Sequence, residues 1–326
     1  MSIKSKRMLG LLIAICFTLL SVLPASASGQ RVYVGGNAFG IKFFTKGAVV
    51  VGITSVDTAV GLVSPANDAG IKAGDIITEL DGKEIVSSDE LINKLGTITA
   101  KAVTLTVNRD GDSFRTIVTP AKDIETGQNK LGIYVRDSAA GIGTVTYVCA
   151  DGSFGGLGHG ICDSKSGVLL PLSDGAVVDV QITGVVKGMR NVPGELKGDF
   201  GTMRVGTLYA NTETGVYGKY VRMPDNLGEA VTTAKAKVGK ATILTTLGSD
   251  GVQSYDIEIS EIADGEETKN LLIKVTDKAL LERAGGIVQG MSGSPIMQDG
   301  HLVGAVTHVL IGDPTRGYGI FIQNMM

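Results

Sequence analysis

The run Gly290-Met291-Ser292-Gly293-Ser294-Pro295 sets a serine hydroxyl among small residues, just before a proline that can open a strand. A tight turn there presents the Ser292 hydroxyl. It also points successive N–H groups, those of Gly290 to Ser292, toward one spot where an oxyanion forms in acyl transfer. Serine chemistry further needs a general base within hydrogen-bond reach and a group that orients it. The chain holds three histidines. His159 lies in the run Phe154 to Asp163 with glycine on both sides, which gives close backbone approach and room for a substrate. It is the first choice of base. His301 follows the Asp299-Gly300 turn and reads as solvent-exposed, and His308 reads as a half-buried sheet residue. For the acid, Asp277 ends the apolar strand that starts at Asn270, where a carboxylate is partly buried and holds an imidazole in one tautomer. Asp163 is its competitor. A metal-dependent hydrolase built on His159, Cys162 and Asp163 has too few ligands in sequence, and no His-Glu-x-x-His run occurs. No metal or cofactor is expected.

The elements that must position these residues are mostly strands. From Leu131 onward, short alternating segments separated by Gly/Asp turns predict an all-β barrel or sandwich. From Arg31 to Pro120 the pattern mixes strands with short helices. Gly47 to Ile53 reads as a buried strand, and Ser87 or Ser88 caps a helix that stops at Gly96. Arg109 to Asp112 turns a hairpin. Ala121 to Lys130 is a polar connector.

A chain of 326 residues suffices for two ordinary domains, and a net charge of −3 without basic runs argues against nucleic acid as a partner. Lys4, Lys6 and Arg7 precede an apolar run from Met8 to Leu23 and then Pro24-Ala25-Ser26-Ala27, the order of an export signal. An uncleaved anchor is the other reading. Cys16 falls in that segment. Export permits a disulfide between Cys149 and Cys162 as readily as two reduced thiols.

Two resemblances follow from these motifs. The run Asp68 to Ile85, with Ala69-Gly70-Ile71 and Gly74-Asp75-Ile76, resembles the core of a bacterial PDZ domain. The resemblance implies a groove where a peptide adds as a strand, and it matches Ala38-Phe39-Gly40-Ile41 to the backbone loop that holds the peptide carboxylate. Gly290 to Pro295 is similar to the nucleophile loop of trypsin-like peptidases, with Ser294 replacing the second glycine. PDZ before peptidase, together with the runs around His159, Asp277, Ser292 and His308, resembles the stage IV sporulation protein B peptidases of endospore-forming bacteria. That resemblance implies a mainly β protein, with an N-terminal α+β PDZ domain followed by a trypsin-like all-β barrel peptidase domain. The boundaries are a signal or anchor over 1–28, PDZ over 31–120, a linker over 121–130 and peptidase over 131–326. It implies a catalytic Ser292, His159 and Asp277, with Gly290 and Ser292 as oxyanion donors, although Asp277 lies much nearer the serine than the acid of trypsin-like enzymes does.

The implied role is an exported endopeptidase acting between mother cell and forespore. It cleaves itself and a membrane-bound inhibitor of an intramembrane protease, releasing a late mother-cell sigma factor. The PDZ ligand is a peptide terminus or a segment of the chain itself. Residues near Thr307 to Val309 and Arg316 to Gly319 are expected to wall the substrate pocket. The alternative class is a catalytically silent PDZ protein that docks a membrane partner.

Overall fold

The computed structural model describes residues 29–326 apart from Ala100 and Asn226, so the expected export segment lies outside the described residues. In chain order, β1 (Arg31–Val34) and the long β2 (Ala38–Ile53) lead into β3 (Val56–Thr58), β4 (Gly61–Val63), α1 (Pro65–Asp68), β5 (Ile76–Leu80), β6 (Lys83–Glu84) and α2 (Ser88–Thr97). The hairpin β7 (Val103–Arg109) and β8 (Asp112–Val118) follows, then the short pair β9 (Ala121–Lys122) and β10 (Asn129–Lys130). Next come β11 (Ile133–Val148), β12 (Ser153–Gly156), β13 (Asp174–Val186), β14 (Glu195–Thr212), β15 (Gly215–Tyr220) and β16 (Ala230–Thr232). The chain ends with β17 (Gly239–Thr246), β18 (Val252–Ile262), β19 (Leu271–Val275), α3 (Lys278–Ala284), β20 (Pro295–Gln298), β21 (His301–Leu310) and β22 (Asp313–Phe321).

Two rings of strands form. β2, β11, β12, β15, β14 and β13 pair in sequence and return to β2, and β17, β18, β19, β22, β21 and β20 close a second barrel. Closure satisfies every edge, which an open sheet of this apolar composition would leave exposed. The first barrel is filled by Phe39, Ile41, Phe43, Phe154 and Leu208, and the second by Ile243, Ile257, Ile273 and Ile296. The protein is thus mainly β, with a PDZ module and a β-barrel peptidase part.

The PDZ module hangs on two shared strands. β2 and β11 are each 16 residues long, and they pair from Ile133↔Ile53 at one end to Thr144↔Ala38 at the other. Their inner halves belong to the first barrel. Their outer halves carry β5, β7 and β8, over a separate core that includes Val50, Ile77, Leu91, Leu95, Leu105 and Leu131. Both strands bend where they change sheet, with register shifts between Arg136 and Ser138 and a positive φ at Gly47. Helix α2 forms because Ser87 accepts the Glu90 N–H, Asp89 and Glu90 suit its N-terminus, and Leu91 and Leu95 share its buried face.

This corrects the boundaries read from sequence. β1 pairs with Tyr147–Val148 of β11 and with β16, so Arg31 to Val34 belong to the peptidase part, as does the first half of β2. Leu131 to Arg136 serve the PDZ module instead. The PDZ module is therefore an insertion into the β2–β11 hairpin. An alternating apolar strand carries no sign of which partner it pairs with, so the linear order concealed the exchange.

The two arrangements make different demands on truncation. A fragment of residues 131–326 lacks β1 and β2 and opens the first barrel, so it should show no cooperative thermal transition. Replacing 54–132 by an Asn-Gly turn, which joins the Ile53↔Ile133 pair directly, should retain one. A cooperatively folded 131–326 fragment would contradict the insertion.

Candidate active site

Ser292 lies in the turn between α3 and β20. Gly290 and Gly293 take φ of +97° and +93°, a region that favours glycine, and a Cβ on Gly293 would strike the Thr144 carbonyl and the Leu157 backbone. The turn belongs to the second barrel but is fastened to β11 of the first. Thr144 N–H donates to the Ser292 carbonyl at 2.9 Å. The Thr144 hydroxyl donates to the Gly290 carbonyl at 2.8 Å, and the Thr146 hydroxyl to the Gly293 carbonyl at 2.7 Å. Gly293 N–H donates to the Val306 carbonyl at 2.7 Å. Among the described residues, the N–H groups of Gly290 and Ser292 have no acceptor.

His159 comes from the other side, in the connection between β12 and β13. It lines one cavity of about 730 Å³ with Ser292, Gln289, Gly290, Thr307 and His308. Its Nδ1 lies 2.8 Å from the Gly160 carbonyl. A carbonyl only accepts, so Nδ1 carries the proton and Nε2 of the neutral ring is the basic atom. The His308 ring sits against it at 4.7 Å between centroids and 35° between planes. Burial pushes the His159 pKa down, with the Gly160 carbonyl opposing. Burial, then His159, then Lys269, push His308 down to about 4. The Ser292 hydroxyl donates to the Thr307 carbonyl at 2.8 Å rather than to an imidazole.

Neither carboxylate singled out from sequence contacts these imidazoles. Asp277 is the N-cap of α3: one oxygen accepts the Leu280 N–H at 2.9 Å, the other the Asp256 N–H at 3.4 Å. It is absent from the cavity wall. The strand end that suggested a buried acid is also a helix start, and the helix takes the carboxylate. Asp163 is buried, but its Oδ1 accepts from Lys165 N, Ser166 N and Ser166 Oγ, and its Oδ2 pairs with Arg136. The Ser166 N–H above all holds its pKa below the usual carboxylate range.

His301 is half-buried and bonded to Thr232. His308 is more exposed than its strand suggested and reaches the cavity because the β21–β22 pairing shifts register between Val306 and Val309. No sequence pattern marks that bulge. Thr307 to Val309 do line the cavity, whereas Arg316 to Gly319 do not. Cys149 and Cys162 are free thiols. Among the described residues, no three His, Cys, Asp or Glu side chains could hold a metal ion.

The peptide-binding loop also moves. Ala38 to Ile41 lie inside β2, paired with Gly141 to Thr144 on one side, with Gly40 and Ile41 paired to Val178 and Val177 on the other. Phe39 and Ile41 fill the barrel core, and Gly40 makes room for Phe200 and Val178, so the segment is no anion loop. A groove of about 380 Å³ lies instead between Leu91, Ile92 and Leu95 of α2 and the run Leu131 to Val135. There β11 pairs only with β2, leaving its other edge open, and the N–H groups of Leu131 and Gly132 have no acceptor among the described residues. Gly132, at φ +75°, makes that turn. The signal was Lys130-Leu131-Gly132-Ile133, a glycine between apolar residues beside a strand.

The family model for the PDZ domain matches residues 38–118, and that for the SpoIVB peptidase S55 matches residues 127–326. A putative zinc metalloprotease of Bartonella henselae is 32% identical over 104 residues, which cover 31% of this chain and 27% of that protein. Among solved structures, the PDZ domain of the SdrC-like protein from Listeria monocytogenes matches at 25% identity and TM-score 0.23, over 28% of this chain and 87% of that one. The Rv3671c protease from M. tuberculosis, active form, matches at 15% identity and TM-score 0.34, over 57% and 71%. The peptidase model spans more than half of the sequence, so the chain belongs to the SpoIVB peptidase S55 family, and it carries a PDZ domain.

Proposed function

We propose that the protein is an exported serine endopeptidase that cleaves a membrane-associated regulatory protein, and itself, in the sporulation pathway that activates a late mother-cell sigma factor. The observation that carries the catalytic part is the shared cavity. His159 and Ser292, from opposite barrels, meet there beside two N–H groups without acceptors. Ser292 Oγ leaves the Thr307 carbonyl, gives its proton to His159 Nε2 and attacks the scissile carbonyl. The imidazolium then protonates the leaving amine. The N–H groups of Gly290 and Ser292 receive the oxyanion. With Asp277 and Asp163 occupied elsewhere, the Gly160 carbonyl orients the ring, and the pair works as a dyad. The pathway and the place of action, between forespore and mother cell, rest on family membership. A peptide carboxy-terminus fits the PDZ groove, adding as a strand to β11 with its carboxylate at Leu131 and Gly132.

One observation favours the silent-binder alternative: the Ser292–Thr307 bond withholds the nucleophile from His159. Ser292→Ala separates the readings. Loss of self-cleavage with an unchanged thermal transition supports the peptidase, and undiminished cleavage removes Ser292 from the mechanism.

Two further outcomes follow. Asp277→Asn keeps an acceptor at the cap, so it should label with a serine-directed phosphonate within a few-fold of wild type. Asp277→Ala should lose about 1 kcal/mol of stability through the cap. A large drop in labelling for a stably folded Asp277→Asn protein would return Asp277 to the site. The second concerns pH. The base acts unprotonated, and burial depresses its pKa, so the active neutral form persists to lower pH. The acid limb of the labelling rate should therefore lie below 6.5. A limb at or above 6.5 would contradict a buried base.

A further inference from the structure

Among the described residues, the one hydrogen bond of the His159 ring is to the Gly160 carbonyl, with the His308 ring packed against its face, so whatever fixes the backbone from Gly160 to Asp163 helps fix the base. Two anchors do so. Asn211 clamps Ile161, accepting its N–H at 2.8 Å and donating to its carbonyl at 3.0 Å. Asp163 closes the far end. Its carboxylate gathers Lys165 and Ser166, and its backbone pairs with Val168 and Gly167. With a side chain only 1% exposed, it needs its second oxygen satisfied. The cation that does so comes from outside the turn: Arg136 Nε stands 3.0 Å from Asp163 Oδ2.

Arg136 occupies a particular place on β11. It follows Val135, the last residue of that strand to line the peptide groove, and sits at the register shift where β11 passes from the PDZ sheet into the barrel. Its neighbour Asp137 turns the other way and accepts the N–H of Ser88, the first residue of α2, at 2.7 Å. Two consecutive residues thus tie one strand to the groove helix and to the histidine turn.

Resting on the peptidase reading above, we propose that Arg136 is a positioning residue for the catalytic base, holding the Gly160–Asp163 backbone through Asp163 from the PDZ end of β11. It touches neither substrate nor His159. Losing it leaves a buried carboxylate with an unpaired oxygen, and the turn opens to hydrate it.

The test uses the chain from Gly29 to Met326, with Arg136→Ala, Arg136→Lys, Asp163→Asn and the Arg136→Ala/Asp163→Asn double variant. The first readout is the NMR titration of the His159 ring, assigned with His159→Gln. In Arg136→Ala its midpoint should rise toward 6.5 as the turn opens, and Arg136→Lys should reverse part of the rise. The second is the phosphonate labelling rate, which should fall about 10- to 100-fold in Arg136→Ala, the cost of a small misplacement of a catalytic group. The double variant should label no more slowly than Asp163→Asn alone, because both changes break one link. A wild-type midpoint and rate in Arg136→Ala, or additive losses in the double variant, would overturn the proposal. Should Arg136→Ala fail to fold, Arg136→Lys and Asp163→Asn carry the same comparison. A folded wild type that takes no label counts against the peptidase reading, while the titration still decides the role of Arg136.

Discussion

Everything about the site depends on the hydrogen bonds by which Thr144 and Thr146 hold the nucleophile turn. Both threonines are fully buried, so each bond replaces a lost hydration and its loss would leave a carbonyl unpaired, at about 1–3 kcal/mol. A serine on one barrel and a histidine on another act together only if the barrels are fixed to within a fraction of an ångström. β11 does this fixing. Beyond the threonines, the Tyr147 hydroxyl donates to the Met325 carbonyl, and its ring packs with Leu302, Ile320 and Ile322 of the second barrel. The bonds set the register of the two barrels, and the apolar contacts supply the cohesion.

The same strand explains why a PDZ module can sit inside a peptidase without breaking it. Inserting at the β2–β11 hairpin leaves the ring of the first barrel intact, and the shared pairs give the module a rigid base. Groove and Ser292 turn then lie along one strand, on either side of the register shift between Arg136 and Ser138. At the site, burial favours the neutral form of the His159 imidazole, the Asp163 carboxylate is tied into its own turn, and the N–H groups of Gly290 and Ser292 have no acceptor among the described residues. Such a cavity suits a reaction whose charge develops as an oxyanion.

The tight turn that carries Ser292 and the glycine-flanked run at His159 were legible because each has a local signature. Gly290 and Gly293 are needed for positive φ and close approach, and the glycines around His159 admit the chain to a crowded junction. The hairpin at Asp110-Gly111 and the cap at Ser87 were legible for the same reason, being written in adjacent residues. What escaped was pairing. Ala38 to Ile41 has the composition of a carboxylate loop, yet two partners close both its edges, and only tertiary structure names them. Asp277 has the right order for an acid and the right neighbours for a cap, and the nearer partner took it. His308 reached the site through a bulge that local propensity does not encode.

The central claim is that this geometry yields a reactive serine. Intact-mass analysis of the chain from Gly29 to Met326 after exposure to a serine-directed phosphonate tests it directly, with Ser292→Ala beside the wild type. One adduct per chain on the wild type and none on the variant is the predicted result. A folded wild type that stays unmodified, or a variant that is modified equally, would contradict it.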